Sequence, residues 1–451
     1  MTPESFISFV DEINEFLSRK VRFDYSINAS YRKKSGLEIN NGKVSETLLG
    51  SNYGLGIRII TSQKEYLISL NNFYNWKQKL YSEIEKIRGK EIEYFISSYK
   101  KEIYFGNDVF KEPSFKDLKD LATLDLKEDY HSKTIYSGEL NIFASRNSRI
   151  LQYFPRSVFA LEVFSKKIQD YGFKKDAKIS YIDKLNVEKT KEDALKQMKD
   201  LEIAKPFSGG KYDVLSNSIL TGVFIHEALG HASESDLVYK EESCLKGKLN
   251  QKIAAENVNV YDSALGLDDY LWGTFSYDDE GIIAQRTQII NNGVLKNYLV
   301  SLRMYHKFAK NLCLKPTGNS RIGNYNEFPL VRMTNTYIEK GDYSKEELFE
   351  ELRNGIYMVD SRGGQVNTAT GSFQFKAALG YVVKNGKILY PIKGTSLKGN
   401  ILETLNNIVA IGKEYGEDSS GTCGKNSASV PVGGKNPEII IKSAIVGGND
   451  D

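Results

Sequence analysis

A chain of 451 residues exceeds the usual size of one hydrophobic core, so two domains of roughly 200 residues are expected. With 40% hydrophobic and 26% charged residues it reads as an ordinary folded protein, neither disordered nor fibrous. Lys+Arg (61) nearly balances Asp+Glu (58), and a net charge of +3 leaves no broad field for nucleic acid or an anionic membrane, so neither is an expected partner.

The opening segment carries Phe6, Val10, Ile13, Phe16 and Leu17 at helical spacing behind Thr2 and Pro3, which predicts an amphipathic helix over 3–20. Glu4, Asp11 and Glu15 interrupt its apolar positions, unlike a secretory signal. No window approaches the ~20 apolar residues of a membrane-spanning helix. The three cysteines, Cys244, Cys313 and Cys423, are odd in number and far apart, which fits a reducing compartment, and the expected location is the cytoplasm.

From Asp24 to Leu70, short β-rich runs broken at Ser35-Gly36, Asn41-Gly42 and Gly54 predict an antiparallel meander. A charged helical pattern follows from Asn71 to Lys90, then an ambiguous Lys/Asp-rich stretch to 135. Strand patterns resume over 137–183, and a solvated helix or connector runs from Lys189 to Lys205. Beyond it the chain is richer in Gly and short strands, with Asn292-Gly293 and Asn385-Gly386 as hairpin turns. The expected class is α+β: an N-terminal mixed domain with an antiparallel sheet over 1–195, and a β-rich, barrel-like domain over 196–451 that carries a buried helix.

That helix is SNSILTGVFIHEALGH, apolar on nearly all sides at Ile219, Val223, Phe224 and Ile225 and ending in His226, Glu227 and His231. Three polar side chains on a buried helix are costly without partners, and a metal ion is a natural one. In the usual His-Glu-x-x-His helix the histidines lie four apart on one face. Here they lie five apart, which on a regular α-helix leaves them ~140° apart. A turn with i to i+5 hydrogen bonds restores them to one side, and a π-type bulge is therefore predicted at 226–231, with Gly230 a permissive place for it.

A catalytic zinc site takes three protein ligands and leaves one position open. The third candidates are Cys423, in the Gly-bracketed SSGTCGKNS where Lys425 would favour the thiolate, Glu234 or Asp236 just past the helix, and Asp278, Asp279 or Glu280 in YDDEG. The residues alone leave that choice open. They also leave open a cysteine hydrolase with Cys423 as nucleophile and a histidine as base, in which the HExxxH spacing has no role, and a non-catalytic zinc-binding subunit, in which Glu227 has none.

HEALGH, GTFSYDDEG, TGNSRIGNY, RMTNTYIEKG, GGQV, GTCGK, VPV and the late VGG follow one another in an order that resembles the TldD/PmbA family of metallopeptidases, on the side of its metal-bearing TldD-type members. Asn367 and Ala428 stand where the family pattern has Asp and Gln. The resemblance implies Zn2+ on His226, His231 and Cys423, with Glu227 as general base. It further implies hydrolysis of small or unfolded peptides, and a dimer with itself or with a PmbA/TldE-like sister chain. The segments SRGGQVN and GTSLKGN are the expected loops around the cleft.

Overall fold

A computed structural model describes residues 1–448 other than 96, 97, 107, 108, 268 and 427. Helix α1 (Pro3–Lys20) starts as predicted: the Thr2 side chain accepts from the Ser5 N–H, Pro3 fills the first turn, and Phe6, Val10, Ile13 and Leu17 are buried. It packs on the first sheet. Strands β1 (Asp24–Asn40), β2 (Lys43–Ile60) and β3 (Glu65–Leu70) form the antiparallel meander. At Asn41-Gly42 both residues have positive φ, 48° and 77°, the geometry of the tight turn that this dipeptide favours.

The charged segment after the meander is helical only over α2 (Trp76–Ile84). The ambiguous stretch contains β4 (Lys100–Tyr104) and α3 (Phe115–Ala122), and the long strands β5 (Asp129–Ser145) and β6 (Arg149–Phe164) follow, with β7 (Tyr171–Lys178) after them. The sheet runs β3-β2-β1-β5-β6, with β4 and β7 both paired to β6. Alternation along each strand separates its two faces. Tyr25, Ile27, Ala29 and Tyr31 of β1 join Leu55, Ile57 and Ile59 of β2 under α1, whereas the opposite face is largely polar.

Helix α4 (Val187–Ile203) places Ala194 and Met198 against the first sheet and Leu201 in a cluster of the second half. The second half is built on a closed barrel of five strands, Gly355–Asn367, Gly210–Ser216, Ile439–Gly447, Ser396–Asn400 and Ser372–Lys384, with the last pairing back to the first. The α+β class with a barrel-like second half is thus observed. Segments 361–367 and 396–400, expected as loops, are strands of this barrel. Asn292-Gly293 and Asn385-Gly386 again take positive φ at both residues.

The halves meet through apolar clusters, such as Phe143 and Ile150 with Tyr277, Ile282 and Leu302, and through polar contacts. The Asn28 side chain donates to the Asp279 carbonyl at 2.7 Å, and Gln152 donates to the Tyr277 carbonyl at 2.8 Å. Buried Arg58 reaches Glu280 at 2.5 Å and the Tyr94 hydroxyl at 2.6 Å. Tyr325 seats against the strand β2 at Gly54 and Gly56, where an added Cβ would lie 2.3 Å from its ring and 1.9 Å from its carbonyl oxygen. Among the described residues, no helix is long and apolar enough to cross a membrane.

Candidate metal centre

Helix α5 (Ser218–Phe224) begins at Asn217, whose side chain accepts from the Leu220 N–H at 3.0 Å. The same oxygen accepts from the Asp360 N–H, and its amide donates to the Asp360 carboxylate, both at 3.0 Å, so the helix start is tied to a barrel strand. Leu220, Phe224, Ile225, Ala228 and Leu229 bury in the largest hydrophobic cluster. Over Ile225–Gly230 the helix widens into a π turn, and the His231 N–H bonds the carbonyl of His226, five residues back. The bulge anticipated from the spacing is present, and it brings the imidazole centroids to 5.4 Å.

Gly230 serves that turn differently from the expectation. Its φ of −57° and ψ of −55° suit any residue. What it supplies is room, because a Cβ there would lie 1.9 Å from the sulfur of Met333.

Cys423 arrives from the far end of the chain on a hairpin, Gly421–Lys425 against Ala428–Val432, rather than on a loop. Its Sγ lies 3.2 Å from His231 Nε2, and the donor atoms of His226, His231 and Cys423 all fall within 4.8 Å of one another. Zn–N bonds of about 2.0–2.1 Å and Zn–S bonds of about 2.3 Å put tetrahedral donors roughly 3.3–3.6 Å apart, so two imidazoles and a thiolate so placed fit the ion. Burial acts to raise the Cys423 thiol, but hydrogen bonds with His226 and His231 outweigh it and bring it down to about 5. Burial disfavours the charged form of His231, and Glu234 and Cys423 reverse this, raising it to about 10.

The remaining acidic candidates stand behind or away from this triad. Glu234, fully buried, presents Oε2 to His231 Nδ1 at 3.2 Å, on the side of the ring away from Cys423. That contact fixes the ring so that Nε2 faces the thiol. Lys425, expected beside the thiolate, instead reaches Glu234 at 2.9 Å and Asp236 at 2.7 Å. Despite burial, His231, Lys425 and Arg332 hold Glu234 down at about 2, while burial raises Asp236. Arg332, also fully buried, donates to the carbonyls of Cys423 at 2.7 Å and Ala428 at 3.1 Å. These cations clamp the hairpin to the segment after the histidines, a role that Lys425, 191 positions from Glu234, does not announce locally. Asp278 accepts the N–H groups of Glu280, Ile282 and Ser320, Asp279 accepts that of Ile322, and Glu280 pairs with Arg58.

Glu227 makes its nearest polar approach to His231, with Oε2 3.8 Å from Nε2, and about a third of its side chain is exposed (34%). The other histidines serve elsewhere: His131 lies between Glu38 and Glu162, and His306 contacts the Tyr94 carbonyl.

Residues 209–448 match the family described as PmbA/TldA metallopeptidase C-terminal domain. The chain belongs to the PmbA/TldD metallopeptidase family. A metalloprotease of Methanocaldococcus jannaschii is 34% identical over 91% of this chain and 94% of its own length. A metalloprotease of Methanothermobacter thermautotrophicus is 46% identical over 54% of this chain and 52% of its own. The zinc metalloprotease TldD homolog of Saccharolobus solfataricus is 39% identical over 53% of this chain and 52% of its own. The matched region thus spans about half the length of several of these curated relatives. Among solved structures, TldE of Thermococcus kodakarensis superposes with a TM-score of 0.74 at 17% identity, covering 97% of this chain and 100% of that one. A Thermotoga maritima protein described as a modulator of DNA gyrase gives 0.75 at 19% identity, over 98% and 100%. At such identities the likeness is one of fold.

Proposed function

We propose that the chain is a zinc peptidase that hydrolyses small or unfolded peptides, with His226, His231 and Cys423 as metal ligands and Glu227 as general base. The observation that carries this reading is the π turn, which turns two histidines five residues apart toward one thiol while leaving the intervening Glu227 open to solvent. When bound, zinc acts as a Lewis acid, polarising a carbonyl and lowering the pKa of water. The chain's own residues do the rest. Glu227 accepts the proton of the attacking water at its carboxylate and returns it to the leaving amine. Glu234 keeps His231 in one tautomer, and Arg332 and Lys425 hold the Cys423 hairpin against the helix. The family name shared with metalloproteases supports the reading, which includes a dimer with itself or with a sister chain.

The test is Glu227→Gln with metal analysis. The variant should retain about one zinc per chain, as a three-ligand site predicts, and lose hydrolysis of unstructured peptides. Wild-type hydrolysis in that variant refutes the base, and full zinc in Cys423→Ala refutes the third ligand. The 3.2 Å contact of Cys423 with His231 also suits a cysteine nucleophile. That reading requires an enzyme indifferent to chelators, which the zinc reading forbids.

A further inference from the structure

Beside the apolar contacts of Phe143, Ile150 and Phe154, the face of the first sheet that looks toward the second half carries a polar patch, with Asn28, Ser30 and Arg32 on β1, Glu139 and Asn141 on β5, and Gln152 and Arg156 on β6. Polar groups shut between two layers of a protein require partners. Asn28 and Gln152 find theirs in the joint between the halves. The others, with Arg321 and Asn52, line a cavity of about 150 Å3.

Two guanidinium groups in its wall are more than nine-tenths buried, Arg156 at 5% exposure and Arg321 at 7%. Arg156 donates through Nη1 to the Trp272 carbonyl at 2.5 Å, and its Nε is ion-paired with Glu139 at 3.3 Å without an aligned hydrogen bond. Arg321 donates through Nη1 to the carbonyls of Met333 at 3.0 Å and Pro431 at 2.5 Å. Among the described residues, its Nε and Nη2 donate to nothing. The carboxyl groups nearby do not take up these open donors: Glu139 pairs with both Arg156 and Arg32 at 3.3 Å, Asp278 accepts three backbone N–H groups, and Asp279 accepts that of Ile322. Buried guanidinium groups with open donors are costly, and the planar fork they present fits a carboxylate.

We propose that this cavity binds a carboxylate-bearing ligand, held by Arg156 and Arg321, with Asn52 and Asn141 lining the same space. A phosphate would bring a second negative charge against Glu139, Asp278 and Asp279, whereas one carboxylate answers the open donors. The carboxylate comes from a peptide or from a free organic acid. Residues 429–431, one wall of the cavity, belong to the strand paired with that of Cys423, so an occupant abuts the back of the metal hairpin.

The experiment is calorimetric titration of the full chain, in the Glu227→Gln background so that no probe is cut. The probes are an acetylated hexapeptide as free acid, its C-terminal amide, the amide with one internal Glu, and succinate. At least one carboxylate probe should bind where the plain amide does not. Preference for the free acid assigns a peptide C-terminus, preference for the Glu peptide an acidic side chain, and preference for succinate a small free acid. Arg321→Gln should weaken that binding roughly tenfold or more, the size of a charge-assisted contact. Because Arg321 also holds two carbonyls, Asn141→Asp gives a second arm that spares both arginines: its new carboxylate should occupy the site, abolish binding and raise Tm. The proposal is overturned if no carboxylate probe binds, or if binding survives unchanged in both variants.

Discussion

Glu234 stands directly behind His231, its Oε2 3.2 Å from Nδ1, while the Nε2 of the same ring faces Cys423 at 3.2 Å. A buried carboxylate in that position sets the tautomer and direction of the imidazole before any ion arrives.

Glu234→Gln keeps an oxygen for the His231 N–H but removes the charge, and it should lower zinc affinity by about 10–100-fold, the range for such supporting groups. Competition against a chromophoric chelator measures it. Glu234→Ala goes further, leaving Lys425 and Arg332 short of a buried counter-charge, and should cost about 3–5 kcal/mol of stability. Equal zinc affinity in the Gln variant would show that the contact does not orient the ligand.

The π turn was legible in the sequence because helical geometry converts a spacing of five into an angle, and any chelating pair so spaced must correct it. The Asn-Gly hairpins were legible for a similar local reason, the positive φ those residues tolerate. Glu234 read ambiguously as a third ligand, because only the fold decides whether a carboxylate three residues after His231 lies before or behind the ring. Lys425 looked like a partner for the adjacent thiol, yet its strand turns it toward Glu234 and Asp236. Gly230 looked like a conformational device, and its cause is Met333, about a hundred residues on. The polar sheet face left no mark beyond ordinary alternation, since a strand pattern does not say what its polar side will meet.

Gly230→Ala tests the steric account. With the added Cβ 1.9 Å from the Met333 sulfur, the variant should lose about 1–3 kcal/mol, as overpacking does. It should also bind zinc less well, since His231 is the next residue. Met333→Ala in the same chain should restore part of both losses, giving a double-mutant cycle that departs from additivity. Strict additivity in denaturant unfolding would mean that Met333 is not what excludes a side chain.

Asp279 gives stability a pH dependence of defined sign. Burial raises its folded pKa to about 6 against an ordinary 3.8, so between those values the folded chain binds more protons than the unfolded one. Stability from this group is therefore greatest below the unfolded value, falls as pH rises toward 6, and is level above it. Asp279→Asn retains an oxygen for the Ile322 N–H and removes the titration. Relative to that variant, the wild type should lose about 2 kcal/mol between pH 4 and 7. Urea titrations at several pH values measure it, and parallel curves for the two proteins would refute the assignment.

The barrel bears on which peptides reach the metal helix. Strand Gly355–Asn367 pairs with Ser372–Lys384 on both sides of a bulge between Ser361 and Gly364, but its other edge meets Gly210–Ser216 only at residues 356–358, and residues 363–367 are largely exposed. Phe224 of the metal helix packs on Phe373 of this hairpin at 5.3 Å, so the open edge lies on the element that supports the helix. An extended peptide can add to such an edge through backbone hydrogen bonds, whereas a folded protein must first open at a cost set by its own stability. We expect a stable globular substrate to be cut far more slowly than its denatured form or a hexapeptide from it, and Gln365→Pro, which removes an edge donor or strains the strand, to raise KM for the peptide more than it lowers kcat. A sizing measurement on the active species checks the accompanying expectation of a dimer. Equal cleavage of folded and denatured forms would refute edge recognition, and a fully active monomer would refute the dimer.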